Sequence, residues 1–235
     1  MSKSFIFDVD GTLTPSRGRI DEDFRLWFAQ FCWDNDVYMV TGSDKAKTVE
    51  QVGEYIYNLC KRVYQCAGND IWEQDNNIKK PAFMTLPDIA EEYLDRQLNY
   101  TDWVPLTGAH SDYRPGLLNF SIVGRNATLE QRKMYSDYDK QVKERSRIAQ
   151  AFNKRFPQYQ ASVAGEIGID ITVKGCNKSQ ILKDFDECID DIVFFGDKCE
   201  DGGNDYEIAQ AVAFGGGIVR QVKDWKETWE ILKQK

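Results

Sequence analysis

Phe5-Ile6-Phe7-Asp8-Val9-Asp10-Gly11-Thr12-Leu13-Thr14 is the stretch that decides the fold. An apolar run enters two carboxylates spaced i, i+2, and a glycine follows. Such a run, bounded by a turn signal, predicts a buried strand over Ser4 to Phe7 that ends in a tight loop. In open parallel sheets, ligands bind outside the carboxyl ends of the strands. Asp8 and Asp10 therefore stand where a site would be. Two carboxylates so spaced can serve one centre in different roles: one attacks, and the other exchanges a proton with the leaving or entering oxygen. Gly11 lets the backbone turn sharply, and Thr12 offers a hydroxyl. By itself an acidic loop after a strand is more often a cap or a solvated turn, so the rest of the chain has to carry the argument.

Outward from this loop the pattern is periodic. Phe24, Trp27, Phe28, Phe31 and Cys32 recur at helical spacing and predict a helix over 21–33. Val37 to Val40 reads as a second buried strand, ending at Thr41-Gly42-Ser43-Asp44, and Val49, Val52, Ile56 and Leu59 form one further helical stripe. This βαβα rhythm predicts a parallel sheet with helices on its faces. It breaks near Gln74. The middle of the chain predicts a helix over 88–98, a strand over 117–123 and one long charged helix over 129–156. In Glu166 to Val173, Ile167, Ile169, Ile171 and Val173 alternate strictly with the others, which puts Asp170 on the non-core face of an antiparallel sheet open on one side. After Lys178 the α/β pattern resumes. A helix is expected over 181–185 and a strand over 192–195, running into Gly196-Asp197. A helix over 205–211, a short strand over 212–214 and a last helix over 222–232 follow. The fold class is thus α/β: a core split between residues 1–82 and 176–235, with an α+β cap of residues 83–175 inserted.

Composition narrows the function. The net charge is −8, whereas a sequence-independent nucleic-acid binder would be basic; no nucleic-acid partner is expected. An anionic substrate must find its positive charge locally, in a few arginines or a metal. No apolar run is long enough to span a bilayer. The first residues enter a strand at once and leave no room for a signal peptide, so the expected location is cytoplasmic. The six cysteines, Cys32, Cys60, Cys66, Cys176, Cys188 and Cys199, contain no C-x-x-C pair and read as free thiols. His110 is the one histidine, so chemistry must rest on carboxylates, hydroxyls, lysine or metal.

Three further clusters join Asp8 and Asp10. Thr41 and Ser43, flanking Gly42 after the second strand, could hydrogen-bond a phosphate. Lys178 could neutralise it. Asp197, with Asp201, Asn204 and Asp205 behind it, follows the strand over 192–195. Asp8, Asp10 and Asp197 make an oxygen-rich set suited to Mg²⁺, which offsets the repulsion between an anionic nucleophile and an anionic phosphate.

FDVDGTLT, the VTGSD step over 40–44, Lys178 and GDKCEDGGND over 196–205 resemble the four motifs of the haloacid dehalogenase (HAD) superfamily. The resemblance implies a Rossmann-like core in which Asp8 becomes an aspartyl phosphate. Asp10 would be the acid/base and give a backbone carbonyl to Mg²⁺, and Asp197 would be the remaining protein ligand. Thr41, Gly42 and Ser43 would bind phosphate, and Lys178 would join the catalytic set. The insert, from Arg114-Pro115-Gly116-Leu117 through Gly124-Arg125 to Leu129-Glu130-Gln131-Arg132, is similar to the cap of eukaryotic-type phosphomannomutases. FFGDKCEDGGNDYEI and Arg17 resemble that family's core. Arg17, Arg114, Arg125, Arg132 and Asp170 would then bind a hexose phosphate, with Gly168 at a substrate-binding position. Arginine suits this role because its guanidinium pairs with phosphate in a bidentate fashion. The family's dimer through the cap is implied as well.

Five positions depart from the family pattern. Gly168 stands where serine is usual, removing a hydroxyl contact, and Ile122 where proline is usual. Ala209 and Ala211 carry no side-chain oxygen for a second metal loop, so one Mg²⁺ is expected. Thr41 replaces the usual glycine and resembles sugar phosphatases of the superfamily. The leading expectation is a mutase that interconverts mannose 6-phosphate and mannose 1-phosphate, with a hexose 1,6-bisphosphate as intermediate and activator. The alternatives are a sugar-phosphate phosphatase with the same Asp8 chemistry, and a non-catalytic sugar-phosphate sensor. The intact Asp8, Asp10, Lys178 and Asp197 speak against the sensor.

Overall fold

The structure is a computed structural model and describes residues 3–79, 84–185 and 189–234. The expected junction at 82–83 and Cys188 lie outside the described residues. The strands are β1 (Ser4–Phe7), β2 (Asp36–Val40), β3 (Arg62–Gln65), β4 (Asp70–Glu73), β5 (Asn76–Lys79), β6 (Ser111–Arg114), β7 (Leu117–Ser121), β8 (Tyr159–Ala164), β9 (Gly168–Val173), β10 (Ile192–Gly196) and β11 (Ile218–Gln221). The α-helices are α1 (Glu22–Asp34), α2 (Lys45–Val52), α3 (Glu54–Leu59), α4 (Asp88–Tyr100), α5 (Leu129–Val142), α6 (Glu144–Arg155), α7 (Tyr206–Phe214) and α8 (Trp225–Lys233). A 3₁₀ segment spans Lys178–Phe185.

Seven strands form the large sheet in the order β11-β10-β1-β2-β3-β4-β5. The first five are parallel, as expected from the rhythm. β4 and β5 add an antiparallel edge where the periodicity breaks. Phe5 and Phe7 of β1 face a core built with Phe24, Phe28, Ile56 and Tyr57 from α1 and α3, while Ile6 faces Leu182, Phe194, Ile208 and Val212 on the other side. With both faces covered, β1 and β10 read as unbroken apolar runs. Asp8, Thr41 and Asp197 follow β1, β2 and β10 at their carboxyl ends.

Four antiparallel strands form the small sheet in the order β6-β7-β9-β8. One face packs Leu118, Phe120, Ile169 and Ile171 against Ala90, Leu94, Tyr135 and Phe152 of α4, α5 and α6. Asp170 lies on the other face, as the alternation predicts, yet it is buried. The face expected to be open meets the loop after β2: a Cβ on Gly42 would lie 2.8 Å from Asp170 Oδ2. At the β8 edge the sheet also pairs with a core loop, Val163 N donating to Gly202 O at 2.8 Å and Asn204 N to Val163 O at 3.1 Å.

Local structure corrects the sequence reading at three points. The long helix over 129–156 is two helices, because Lys143 takes a left-handed conformation (φ 55°) while the Asp139 carboxylate collects Arg145 N and Nε, each at 2.8 Å. The stripe over 49–59 is likewise broken at Gly53, whose φ of 82° ends α2. Residues 212–214 are the last turn of α7 rather than a strand; the edge strand is β11, further along. Cys32, Cys60, Cys66, Cys176 and Cys199 are free thiols. Among the described residues no helix is long and apolar enough to cross a membrane.

Candidate active site

Asp8 sits at the end of β1, only 3% exposed. Its backbone N–H donates to Phe195 O at 2.9 Å, which holds the β1 and β10 ends together. Lys178 Nζ, 2% exposed, donates to Asp8 Oδ1 at 2.5 Å and to Asp205 Oδ1 at 2.7 Å. Thr12 Oγ1 donates to the other Asp8 oxygen at 3.4 Å. Burial pushes the Asp8 carboxyl well above its ordinary value; Lys178 opposes this, and Asp205 and Asp197 add to it. Burial works against the Lys178 ammonium, but Asp205 and Asp8 outweigh it and hold the charge. A charged lysine therefore stands against the Asp8 carboxylate and favours its ionised form.

Carboxylate oxygens of Asp8, Asp197 and Asp205 lie within 4.8 Å of one another. Burial, with Asp205 adding to it and Lys198 opposing, pushes the Asp197 carboxyl up to about 6. Gly11, at φ +87°, is needed here: a Cβ would lie 2.5 Å from Asp197 Oδ2. Asn204 lines the same cavity, and its Oδ1 is buried without a partner. Crowded, desolvated carboxylates beside an orphaned amide oxygen are a donor set that fits a hard divalent cation such as Mg²⁺. Asp10 is turned away from this cluster. Its Oδ1 accepts from Arg17 N at 2.5 Å and from Gln51 Nε2 at 2.9 Å.

Asp8, Asp10, Arg17, Thr41, Gly42, Ser43, Arg114, Arg125, Arg132, Gly168, Asp170 and Asp197 all line one cavity with about 590 Å³ of empty space. Lys178 does not line it but donates to Asp8 Oδ1, and Thr12, Asp201 and Asp205 also lie outside the lining. Thr41 and Ser43 are buried, and Ser43 N donates to Thr41 Oγ1 at 3.1 Å, shaping the loop around Gly42. From the small sheet, Arg114 Nη1 reaches Gly42 O at 2.7 Å while Nε and Nη2 hold Asp112 at 3.0 and 2.6 Å. Arg125 donates to Asn119 Oδ1 at 2.6 Å and to Asp112 at 2.7 Å. Arg132 reaches Ala127 O at 3.2 Å and Arg125 O at 3.4 Å. Burial and the neighbouring guanidinium of Arg17 bring both Arg125 and Arg132 down to about 10, with Arg114 adding to the effect on Arg125. One carboxylate, Asp112, is shared between Arg114 and Arg125, and the Arg132 guanidinium bonds backbone carbonyls; an anion such as phosphate would add negative charge against these cations.

Residues 30–234 match the family described as eukaryotic phosphomannomutase. Similar curated proteins include phosphomannomutase of Saccharomyces cerevisiae, 32% identical over 213 residues, covering 86% of this chain and 83% of that protein. Phosphomannomutase of Spinacia oleracea is 32% identical over 244 residues, covering 98% and 96%. Human phosphomannomutase 1 is 32% identical over 213 residues, covering 86% and 81%. The chain belongs to the eukaryotic phosphomannomutase family. Solved structures agree on the fold alone. A HAD subclass IIB sugar phosphatase superposes with a TM-score of 0.59 at 16% identity, over 99% of this chain and 98% of the other. An IMP-nucleotidase of Plasmodium falciparum superposes with 0.66 at 15% identity, over 99% of this chain and 66% of the other.

Within this family fold, several residues in or behind the cavity carried little or no sequence signal. Asn119 lies opposite Asp170 in the β7–β9 register and donates to Asp170 Oδ1 at 2.6 Å. It also accounts for Gly168: a Cβ there would lie 2.5 Å from Asn119 Nδ2, so the family's serine would displace that amide. Asp205, fully buried against Lys178, had been noted only as part of an acidic stretch. Glu166 lines the cavity too, with its carboxyl raised by burial against the pull of Arg132. A polar residue between apolar neighbours is a weak sequence signal at Asn119; Glu166 and Gln51 gave none.

Proposed function

We propose that this chain is a phosphomannomutase that interconverts mannose 6-phosphate and mannose 1-phosphate. One observation carries the reading: Asp8, bound to Lys178 at 2.5 Å, looks into a cavity also lined by four arginines. An attacking carboxylate and a set of guanidiniums in one cavity suit a hexose that carries phosphate at either end. The working parts follow the segmentation of the chain, with a catalytic core of residues 1–82 and 176–235 and a cap of residues 83–175.

Asp8 attacks the proximal phosphoryl group, the bond from phosphorus to the sugar oxygen breaks, and Asp10 gives that oxygen its proton. Thr41, Gly42, Ser43 and Lys178 hold the phosphoryl oxygens. Arg17, Arg114, Arg125 and Arg132 hold the distal phosphate, while Asp170 accepts sugar hydroxyls beside Gly168. A hexose 1,6-bisphosphate, also the activator, turns over within the site and returns one phosphoryl group to Asp8. Closure of the cap excludes the water that would hydrolyse the aspartyl phosphate. Asp8, Asp197 and the Asp10 backbone carbonyl would hold Mg²⁺, which when bound offsets the repulsion between carboxylate and phosphate. Cytoplasmic location and a homodimer through the cap belong to the same reading; sedimentation across a concentration series tests the dimer.

Thr41, where the family usually has glycine, favours one second reading: a sugar-phosphate phosphatase with water as acceptor. A single assay separates the two. Mannose 1-phosphate, Mg²⁺ and a trace of hexose 1,6-bisphosphate are supplied, and mannose 6-phosphate and free phosphate are followed together. Mannose 6-phosphate without matching free phosphate is the expected result. Free phosphate as the main product would make the chain a phosphatase.

A further inference from the structure

α2 joins two parts of the site. It begins just after the Thr41-Gly42-Ser43 loop, and its last turn carries Gln51, 1% exposed. Gln51 Nε2 donates to Asp10 Oδ1 at 2.9 Å and to Thr14 Oγ1 at 3.2 Å. Its backbone carbonyl accepts from Ile20 N at 2.8 Å, so the helix end is tied to the chain that follows the Asp10 loop. Arg17 N donates to the same Asp10 oxygen at 2.5 Å. Only one orientation of the Gln51 amide serves, because an ionised carboxylate accepts and cannot donate. That orientation leaves Gln51 Oε1 buried without a partner. An unpaired buried acceptor is a net cost, and an apolar side chain of the same length would avoid it. The residue is explained by what its other end does.

We propose that Gln51 is a positioning residue for the acid/base Asp10: with Arg17 N it occupies Oδ1 and leaves Oδ2 to carry the catalytic proton. This rests on the reading of Asp8 as nucleophile and Asp10 as acid/base. A neutral carboxyl has one O–H and can still accept at its other oxygen. Two N–H donors at Oδ1 keep that oxygen the acceptor in both protonation states, so the proton sits on Oδ2. When the phosphorus–sugar bond breaks, its electron pair goes to the sugar oxygen, which takes the proton from Oδ2. In the reverse half, the sugar hydroxyl returns its proton to Oδ2 as its oxygen bonds to phosphorus and the electron pair of the acyl-phosphate bond returns to Asp8.

The test compares leaving groups. A sugar alkoxide needs a proton to depart; 4-nitrophenolate does not. Gln51→Met removes the amide, and Gln51→Glu keeps the size while losing the donor. Both should lower kcat with mannose 1-phosphate by roughly 10²-fold, the lower range for acid–base catalysis, and change its KM little. The burst of 4-nitrophenolate from 4-nitrophenyl phosphate, which reports transfer to Asp8 alone, should slow far less. If Gln51→Met does not fold, Gln51→Glu reads the same comparison. Equal losses on both substrates, or no loss on either, would overturn the role of Gln51 while leaving the nucleophile reading intact. A wild-type protein with no burst and no transfer would overturn the parent reading and this inference with it.

Discussion

The Arg114 guanidinium, on the small sheet, hydrogen-bonds the Gly42 carbonyl of the phosphate loop at 2.7 Å. Two backbone bonds between Val163 and the 202–204 loop run alongside it. On the side of the large sheet all three contacts use main-chain atoms, which fixes the approach without depending on side-chain identity there.

Removing that contact should loosen closure. A hydrogen bond from a charged group contributes about 1.5–3 kcal/mol, so Arg114→Ala should weaken hexose phosphate binding by roughly tenfold or more. Water should also enter more often. The ratio of free phosphate to mannose 6-phosphate should rise in the assay that follows both products, and an unchanged ratio would count against Arg114 as a closure contact.

Asp8→Asn should abolish transfer and leave no hydroxylamine-labile phosphate on the protein. The substitution also removes one of the two anions against Lys178, whose ammonium still has Asp205 at 2.7 Å. The fold should therefore persist, and circular dichroism of the variant should match the wild type. A variant with catalytic turnover would rule out Asp8 as the nucleophile.

Arg125 and Arg132 are crowded cations, held down to about 10 by burial and by Arg17. An anion relieves that crowding. Millimolar inorganic phosphate should raise Tm by mass action, and less so in Arg125→Ala or Arg132→Ala. The same variants should raise KM for mannose 1-phosphate by about 10–100-fold, the equivalent of one or two charge-assisted hydrogen bonds. Turnover of an aryl phosphate, which has no distal phosphate, should change little. Equal effects on both substrates would remove these arginines from the distal grip.

Burial and Asp205 push the Asp197 carboxyl up to about 6, against Lys198. A raised carboxyl favours the protonated form in the folded chain. The metal-free protein should therefore lose stability as pH rises from about 4 to about 6 and remain at the lower level above that. A bound cation favours the ionised form, and protons compete with it below about pH 6. Mg²⁺ should then raise Tm more at about pH 7.5 than at about pH 5, and chelation with EDTA should reverse the gain. A shift that is equal at both pH values would exclude Asp197 as a ligand.

Much of the site was legible because its residues follow strands. Asp8, Thr41 and Asp197 each close an apolar run, and such runs announce both the sheet and its carboxyl edge. The arginines were legible only through resemblance to a family pattern, since an arginine in a polar stretch looks the same on a solvated surface; Lys178 was legible as a candidate by its place where the α/β pattern resumes. The two helix breaks show the limit of periodicity. At Gly53 the break had a sequence signal that the apolar stripe ran across, whereas Lys143 is not a residue that favours its left-handed conformation, and the Asp139 carboxylate bonded to Arg145 supports the turn through contacts absent from any local window.

By itself the sequence determined the α/β core, the inserted antiparallel unit and the carboxylates at the strand ends, because alternation and apolar run length are local properties of the chain. The folded chain alone shows that the small sheet turns its polar face onto the loops of the large sheet, that Asn119 fills the space left at Gly168, and that Asp205 and Gln51 are brought to Lys178 and Asp10. Those are contacts between residues far apart along the chain, 72 positions for Arg114 and Gly42 and 170 for Lys178 and Asp8, and a polar side chain reveals its partner only when the chain has brought the two together.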